Sequence, residues 1–259
     1  MPSIILPVVL CGGCGTRLWP VSRAEFPKQF INLFAGLSFF QMAAQRLSNL
    51  PDSRLAKPVV IGNEEHRFLI LQQLKEINLE AEAILLEPVG RNTAPALALA
   101  GYHAEQDGDD PIMIVVPSDQ MILDNSAFSK TVLEAVKLAA EDNIVLLGIT
   151  PSYPEIGYGY IKTRNKKNIT SFTEVEEFVE KPDLETATSY IQDGGYYWNS
   201  GIFVLKASVW RKALQRFRPD IANSVKSAWN LRTQEQKFIR PDNSFFTTTR
   251  QQGARPLDA

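Results

Sequence analysis

Residues 4–20 read IILPVVLCGGCGTRLWP, a continuous apolar run that passes directly into a glycine-rich loop. A short run that is apolar at every position predicts a strand buried on both faces, as in parallel sheets. Residues 58–61, 112–116 and 144–149 have the same character. Amphipathic stretches with helical spacing separate these runs, at residues 38–50, 64–77, 94–103 and 126–140. This alternation predicts an α/β fold with a mostly parallel central sheet flanked by helices.

The sequence changes character after residue 150, where prolines and glycines interrupt the chain. Residues 172–180 alternate enough to predict a half-exposed strand, and two helices separated by a strand at residues 201–205 are expected to follow. A mixed-sheet lobe is therefore expected beyond residue 150. In the first half, Ser38 and Ser126 are the expected N-caps of the first and last helices.

The composition excludes several classes of protein. The chain has 259 residues, 27 basic and 29 acidic side chains, and a formal net charge of -2. We expect no binding to nucleic acid or to a membrane, because such binding requires clustered Lys and Arg. Two cysteines provide no disulfide framework, and no signal peptide is recognisable, so a reduced, cytoplasmic protein is expected.

The glycine-rich loop has two interpretations. Three glycines in four positions, Gly12, Gly13 and Gly15, suit a tight turn, and they also suit a cradle of backbone N–H groups around a phosphate. The spacing fits neither the dinucleotide-binding fingerprint nor a Walker loop. Arg17 and Lys28 favour the phosphate cradle, because two cations could face an anion that the loop holds.

The sequence contains three sets of candidate metal ligands. Cys11 and Cys14 could form half of a zinc site, but the second ligand pair is missing, so small buried residues are the better account. Asp119 follows the run of residues 112–116 after Pro117 and Ser118, and it is either a turn residue or a Mg2+ ligand. The sequence Asp-Gly-Asp at residues 107–109 precedes that run, which indicates a solvated turn at the other end of the sheet.

Residues 87–96, EPVGRNTAPA, lie between a short apolar run and a helix. They can be read as a loop with Thr93 as the N-cap, or as a ligand loop in which Arg91 and Asn92 face an anion at a helix N-terminus. The two readings are compatible. Three later segments, GYGYI at 157–161, FVEKP at 178–182 and WNSGIF at 198–203, are unremarkable when taken singly.

The glycine-rich segment, followed by FPKQF at residues 26–30, resembles the signature of the sugar nucleotidyltransferases. Within that superfamily it is similar to the mannose-1-phosphate guanylyltransferases, which in bacteria often form the first half of a bifunctional protein with mannose-6-phosphate isomerase. The resemblance covers residues 4–240. It implies a Rossmann-like nucleotide-diphospho-sugar transferase fold with a nucleotide half at about 1–150 and a sugar-phosphate half at about 151–240.

The resemblance also implies roles for particular residues. Arg17, Lys28 and Asp119 would be catalytic, with Asp119 as the Mg2+ ligand. The residues implied in nucleotide binding are Gly12, Gly13, Gly15, Thr16, Arg17, Arg91, Asn92 and Thr93. Those implied on the sugar-phosphate side are Gly159, Glu180, Lys181 and Asn199.

The implied reaction joins GTP and mannose 1-phosphate into GDP-mannose and pyrophosphate, with Mg2+ as the cofactor and a homodimer as a candidate assembly. The chain departs from the family after residue 240. Residues 241–259 look like a truncated or altered, partly disordered tail that lacks a second acidic metal ligand of the family. Two alternatives therefore stay open, namely a pyrophosphorylase for another nucleotide or sugar, and a nucleotide-sugar-binding protein with little turnover.

Overall fold

A computed structural model describes residues 3–12, 19–34, 36–52, 54–90, 92–164 and 172–244. Across these residues the chain forms twelve strands and seven helices. In chain order the elements are β1 (Ile5–Cys11), β2 (Asn32–Phe34), β3 (Leu37–Ser38), α1 (Phe39–Ser48), β4 (Val59–Asn63), α2 (Arg67–Glu76), β5 (Ala83–Glu87), α3 (Thr93–Ala104), β6 (Ile112–Pro117), α4 (Asn125–Ala139), β7 (Val145–Ile149), β8 (Gly159–Thr163), β9 (Val175–Glu180), α5 (Leu184–Asp193), β10 (Tyr196–Lys206), α6 (Ala207–Phe217), α7 (Pro219–Asn230), β11 (Thr233–Glu235) and β12 (Phe238–Arg240).

The chain divides into two compact units. The larger unit contains the described residues up to Val145 together with those from Phe203 onward, and the smaller unit is Leu146–Ile202. Strand β10 contributes its first part to the smaller unit and its last part to the larger one. The predicted division of the domain at about residue 150 and the predicted tail, most of which lies outside the described residues, stay predictions.

The larger unit is built on a sheet with the order β11-β12-β5-β4-β1-β6-β10. The pairs from β12 to β6 are all parallel, whereas β11 and the end of β10 run antiparallel to their neighbours. The predicted α/β class and its mostly parallel sheet are therefore confirmed. No helix in the described part of the chain has the length and apolar character that crossing a membrane requires.

Both faces of the sheet are covered at its central strands β1, β4 and β6, which explains why these strands are predominantly apolar. Val8 and Val115 point to the face that packs on α3, α6 and α7. The opposite face contacts α1, α2 and α4, where Phe40 and Ile70 are fully buried. Each fully buried side chain of this size contributes roughly 1.5–3 kcal/mol, so the packing fixes where the strands end.

Of the two serine N-caps predicted from the sequence, one is confirmed. Ser38 caps α1 in a capping box with Gln41, as expected. The predicted cap at Ser126 is wrong, because Asp124 accepts the hydrogen bond from the Ala127 N–H and α4 begins at Asn125. The sequence also predicted two helices around the strand at 201–205, whereas a third helix, α7, follows α6 after an N-terminal proline.

The smaller unit is an antiparallel sheet in which β8 lies between β9 and β10. The predicted half-exposed strand is β9, whose residues are all exposed or half-buried. Strand β7 pairs with β10, and its residues are half-buried or exposed. The prediction that residues 144–149 form a strand buried on both faces is therefore wrong, because β7 has no place among the parallel strands.

His103, in α3, is a buried titratable group that links helix packing to pH. Its Nε2 lies 3.0 Å from Glu82 Oε1, and its ring meets Trp229 edge-on with 6.2 Å between centroids. Burial lowers the pKa of His103 and outweighs the attraction of the Glu82 carboxylate. The folded chain therefore favours the neutral imidazole.

We expect the wild-type protein to lose stability relative to His103→Gln as the pH falls from 7 to 5. The unfolded chain binds a proton at His103 near pH 6.5, and the folded chain does so only at lower pH. Below pH 6.5 the unfolded state is stabilised relative to the folded state by up to about 1.4 kcal/mol for each pH unit, because the unfolded chain binds this proton first. Urea unfolding of both proteins at each pH provides the measurement, and a constant difference in unfolding free energy would contradict the prediction.

Candidate active site

The carboxyl ends of four parallel strands meet at one edge of the larger unit's sheet. Strand β1 ends at Cys11, β4 at Asn63, β5 at Glu87 and β6 at Pro117. In the register, Leu10 pairs with Pro117, and Asn63 pairs with Glu87. The segments that leave these strands therefore begin at the same edge, where open α/β sheets bind ligands.

Lys28 is positioned by a 3-10 turn, Lys28–Phe30, that the core holds in place. Phe30 is fully buried and meets Phe40 with 5.6 Å between ring centroids. The side chain of Gln73, in α2, donates a hydrogen bond of 2.8 Å to the carbonyl oxygen of Phe30. The turn thus has an apolar and a polar anchor, while the side chain of its first residue, Lys28, is 34% exposed.

Lys28 meets Asp119 just beyond the end of β6. The Lys28 ammonium donates a hydrogen bond of 3.2 Å to the Asp119 carbonyl oxygen, and its Nζ lies 3.8 Å from the carboxylate Oδ2. The same Nζ lies 5.1 Å from the centre of the Phe39 ring, within the range of a cation–π interaction. The fold therefore joins two of the three predicted catalytic residues across a separation of 91 residues.

Several residues predicted at this edge lie outside the described part of the chain. They are Gly13, Gly15, Thr16, Arg17 and Arg91, and their roles stay predictions. Gly12 is described and exposed, and a Cβ built on it would meet no described atom within 4 Å.

The zinc interpretation finds no support from Cys11, the described member of the Cys-x2-Cys pair. Burial raises the pKa of the Cys11 thiol to about 12, so it stays protonated at neutral pH, whereas zinc binds the thiolate. Within the described ranges, no three His, Cys, Asp or Glu side chains come together as a metal-binding group. Asp107 and Asp109 precede β6 and Asp119 follows it, as the sequence predicted.

Glu87 is a buried carboxyl group to which sequence reasoning assigned no role. It is the last residue of β5 and lies on the same face as Ala83 and Leu85, which α3 covers. Glu87 is 6% exposed, and its Oε1 has no hydrogen-bond partner among the described residues. Burial raises the pKa of Glu87 to about 8. An acidic residue close to the end of an apolar run, the signal that identified Asp119, could have identified Glu87 as well.

The helix that follows Glu87 begins one residue earlier than predicted. Asn92, and not Thr93, is the N-cap of α3, and its side chain makes no capping hydrogen bond. Asn92 has φ 57° and ψ −175°, a conformation that costs free energy in a residue with a side chain. The first N–H groups of α3 have no carbonyl partner within the helix, which suits them to a ligand oxygen.

In the smaller unit, three predicted residues lie in one row across the sheet. Gly159, in β8, pairs with Glu180 in β9. On its other side, Tyr160 pairs with Trp198, so the next position along each strand places Gly159 beside Asn199. Residues directly opposite each other in an antiparallel sheet project to the same face. The row therefore presents a carboxylate and an amide with a glycine between them.

The fourth predicted residue, Lys181, directly follows this row. Its Nζ lies 2.7 Å from Glu180 Oε1, and its backbone N–H donates a hydrogen bond of 3.2 Å to the Tyr158 carbonyl oxygen. Lys181 has φ 46°, in the left-handed region. This conformation places a cation beside the carboxylate of the row, at the cost of some backbone strain.

A model of the nucleotidyl transferase family matches residues 6–245 of this chain. The match contains the segments that carry Lys28, Glu87, Asp119 and the row of Gly159. The chain belongs to the nucleotidyl transferase family. The resemblance that the glycine-rich segment indicated is thereby confirmed.

Known relatives are similar over almost the whole chain. The xanthan biosynthesis protein XanB of Xanthomonas campestris pv. campestris (strain B100) is 45% identical over 247 residues, which cover 95% of this chain and 52% of that protein. A mannose-1-phosphate guanylyltransferase of Klebsiella pneumoniae is 44% identical over 245 residues, covering 94% of this chain and 51% of its own length. The chain thus spans about half the length of the curated relatives it matches.

A solved structure has the same fold. The crystal structure of mannose-6-phosphate isomerase from Helicobacter pylori matches with a TM-score of 0.79 at 29% sequence identity. The match covers 93% of this chain and 87% of that chain.

Proposed function

We propose that this chain transfers GMP from GTP to mannose 1-phosphate, forming GDP-mannose and pyrophosphate in a Mg2+-dependent reaction. The observation that carries the proposal is the contact between Lys28 and Asp119. It places an ammonium group and a carboxylate together near the end of β1, in a chain of the nucleotidyl transferase family. The choice of substrates is supported by relatives that are named mannose-1-phosphate guanylyltransferase.

In this reaction an oxygen of the sugar phosphate attacks the α-phosphorus of GTP. The bond between that phosphorus and the oxygen bridging to the β-phosphate breaks, and its electron pair leaves with pyrophosphate. The attacking phosphate has a second pKa of about 6, so it is already ionised at neutral pH and needs no general base. The chain has to align the reactants and neutralise charge, and Lys28 suits the oxygens of the leaving pyrophosphate.

The residues around Asp119 fit a divalent cation of the magnesium type. The side chain of Asp119 is 48% exposed and offers hard oxygen ligands. Mg2+ usually takes one or two carboxylates and completes its shell with water and substrate phosphates, so Asp119 and the triphosphate would hold it. When bound, the ion supplies positive charge against the phosphate oxygens.

Glu87 supports guanine as the base. Guanine presents two adjacent donors, N1–H and N2–H, which complement the oxygens of a carboxylate. Adenine presents N1 as an acceptor at the corresponding place, which the carboxylate form of Glu87 repels; burial raises the pKa of Glu87 to about 8, so this form becomes populated as the pH approaches 8. A buried acceptor without a partner costs about 1–3 kcal/mol, so a base that supplies donors to Glu87 relieves that cost. Nucleotide binding by Asn92, Thr93 and the N-terminus of α3 is part of the same proposal.

The row of Glu180, Gly159 and Asn199 supports a sugar ligand. A carboxylate and an amide in one row of the sheet can bind neighbouring hydroxyl groups of a sugar. Lys181 adds a cation that suits the phosphate of the sugar.

Gly159→Ala is expected to raise the KM for mannose 1-phosphate about tenfold and to leave the KM for GTP nearly unchanged. A Cβ at this position would lie 2.7 Å from Phe178 Cζ and 3.1 Å from Glu180 Oε2, so the carboxylate has to move. Such overpacking typically costs about 1–3 kcal/mol. Steady-state kinetics provide the measurement, with Gly101→Ala as the control because a Cβ there makes ordinary contact. An unchanged KM for the sugar phosphate would contradict this role.

Pyrophosphate release tests the proposed function. GTP and ATP are each supplied with mannose 1-phosphate and with glucose 1-phosphate in the presence of Mg2+. Release with GTP and mannose 1-phosphate is the expected result. Faster release with another pair would establish a different pyrophosphorylase, and binding of GDP-mannose without any release would establish a nucleotide-sugar-binding protein.

A further inference from the structure

The contact between Lys28 and Asp119 has to break during the proposed reaction. Lys28 is required at the phosphate oxygens and Asp119 at the metal ion. In the structure each is instead the partner of the other, with Nζ at 3.2 Å from the carbonyl oxygen and 3.8 Å from Oδ2 of Asp119. One residue thus supplies both oxygens that hold the ammonium group.

We propose that the Lys28 ammonium is the internal counter-cation of Asp119 and that a divalent cation displaces it, which releases Lys28 to the triphosphate. The inference rests on the proposed function, because it takes Asp119 as a metal ligand. It makes Lys28 a positioning residue for Asp119 before the cation binds.

The contact has the properties of an exchangeable ion pair. The two side chains are 34% and 48% exposed, so water screens their attraction, and pairs of this kind are weak. A divalent ion carries twice the charge of an ammonium group, so it competes well for Oδ2 and repels Nζ. The Lys28 backbone stays fixed by its turn, while the four-carbon side chain can carry Nζ away from the carboxylate.

The exchange couples the cation to the nucleotide. While Lys28 is bound to Asp119, its charge is partly neutralised and its hydrogen bonds are directed at protein oxygens. Once a cation replaces it, all three N–H donors of the ammonium group can serve phosphate oxygens. A cation is therefore expected to strengthen triphosphate binding in two ways, through its own contacts with the phosphates and through the release of Lys28.

The affinity for Mn2+, measured by electron paramagnetic resonance in the absence of nucleotide, tests the exchange. Lys28→Met keeps the length of the side chain but removes the competing charge, and it is expected to bind Mn2+ about threefold to tenfold more tightly than wild type. Lys130→Met removes a positive charge from an exposed position of α4 and should leave the affinity unchanged. Asp119→Asn should lose this binding.

Chemical labelling of wild-type protein gives a second readout that does not depend on a variant. Acetylation of Lys28 by a limiting amount of acetic anhydride, followed by mass spectrometry, is expected to be about twofold to fivefold faster with Mn2+ or Mg2+ than without. In Asp119→Asn the labelling should not respond to the cation, because the substitution removes the carboxylate that binds it but keeps the backbone carbonyl oxygen. The same peptide map shows Lys130, whose labelling should not respond to the cation.

The outcomes separate the exchange from the proposed function. Equal or weaker Mn2+ binding by Lys28→Met would overturn the exchange, and so would slower labelling of Lys28 in the presence of the cation. If Asp119→Asn still loses Mn2+ binding in that case, Asp119 remains the metal ligand of the proposed function. Wild-type Mn2+ affinity in Asp119→Asn would instead remove Asp119 as the metal ligand, and the metal role in the proposed function would fail with it.

Discussion

Lys28→Met is expected to lower the rate of pyrophosphate release by roughly two to three powers of ten at saturating GTP and mannose 1-phosphate. The ammonium group neutralises charge that develops on the leaving pyrophosphate, and a thioether cannot replace it. The remaining side chain still covers the Phe39 ring, so the turn at Lys28–Phe30 should keep its fold. Initial rates of pyrophosphate release measure the effect.

A matched set of proteins makes the result specific. Lys130→Met should retain wild-type turnover, because it removes the same charge elsewhere in the larger unit. Urea unfolding of Lys28→Met should stay close to wild type, since Phe30 and its hydrogen bond to Gln73 are untouched. Turnover within threefold of wild type would exclude Lys28 from the catalytic step.

At pH 8.5, Glu87→Gln is expected to lower the preference for GTP over ATP by about tenfold to a hundredfold in kcat/KM. The carboxylate can accept from two guanine donors, and an amide carbonyl replaces only part of that; hydrogen bonds to a charged group contribute about 1.5–3 kcal/mol. In wild type the preference should rise as the pH increases from 6 to 8.5. Burial raises the pKa of Glu87 to about 8, so the carboxylate form that binds guanine and repels adenine N1 becomes populated over this range.

Glu87→Gln should also change how stability depends on pH. The folded chain keeps a proton on Glu87 up to about pH 8, whereas the unfolded chain releases it near pH 4.5. Between these values the folded state binds more protons, so this group makes wild-type protein less stable as the pH rises. The unfolding free energy of Glu87→Gln should therefore increase relative to that of wild type as the pH rises from 5 to 8. If neither the base preference nor this difference varies with pH, Glu87 has no such role.

Much of the site was predictable because its residues follow buried strands. The apolar run at residues 112–116 predicted that Asp119 lies at a carboxyl end, and the structure places it there. The contact with Lys28 was not predictable, since it depends on a turn anchored by Phe40 and Gln73, which belong to two different helices. The state of Glu87 was hidden for a related reason: its burial, which raises its pKa, arises only when the elements of the chain pack together.

Predictions from the sequence pattern were also wrong where one pattern is compatible with two different structures. The apolar run at residues 144–149 looks like a central parallel strand, but β7 pairs with β10 and is partly exposed. The N-cap of α4 was placed at Ser126, although Asp124 also suits an N-cap and was chosen by the fold. Local preference does not decide between neighbouring candidates, and the packing of the whole element does.

The amino-acid sequence by itself determined the α/β class, the three central strands β1, β4 and β6, and the family, because apolar periodicity and the order of motifs are properties of the chain. The segment at residues 4–20 was sufficient to start each of these inferences. Tertiary structure alone decided that Lys28 is paired with Asp119 and that Glu87 is buried with no partner for Oε1 among the described residues. It also decided that Gly159 lies between Glu180 and Asn199 in one row of the sheet. These properties depend on distances between residues far apart in the chain and on exclusion of water, and both arise only when the strands and helices pack.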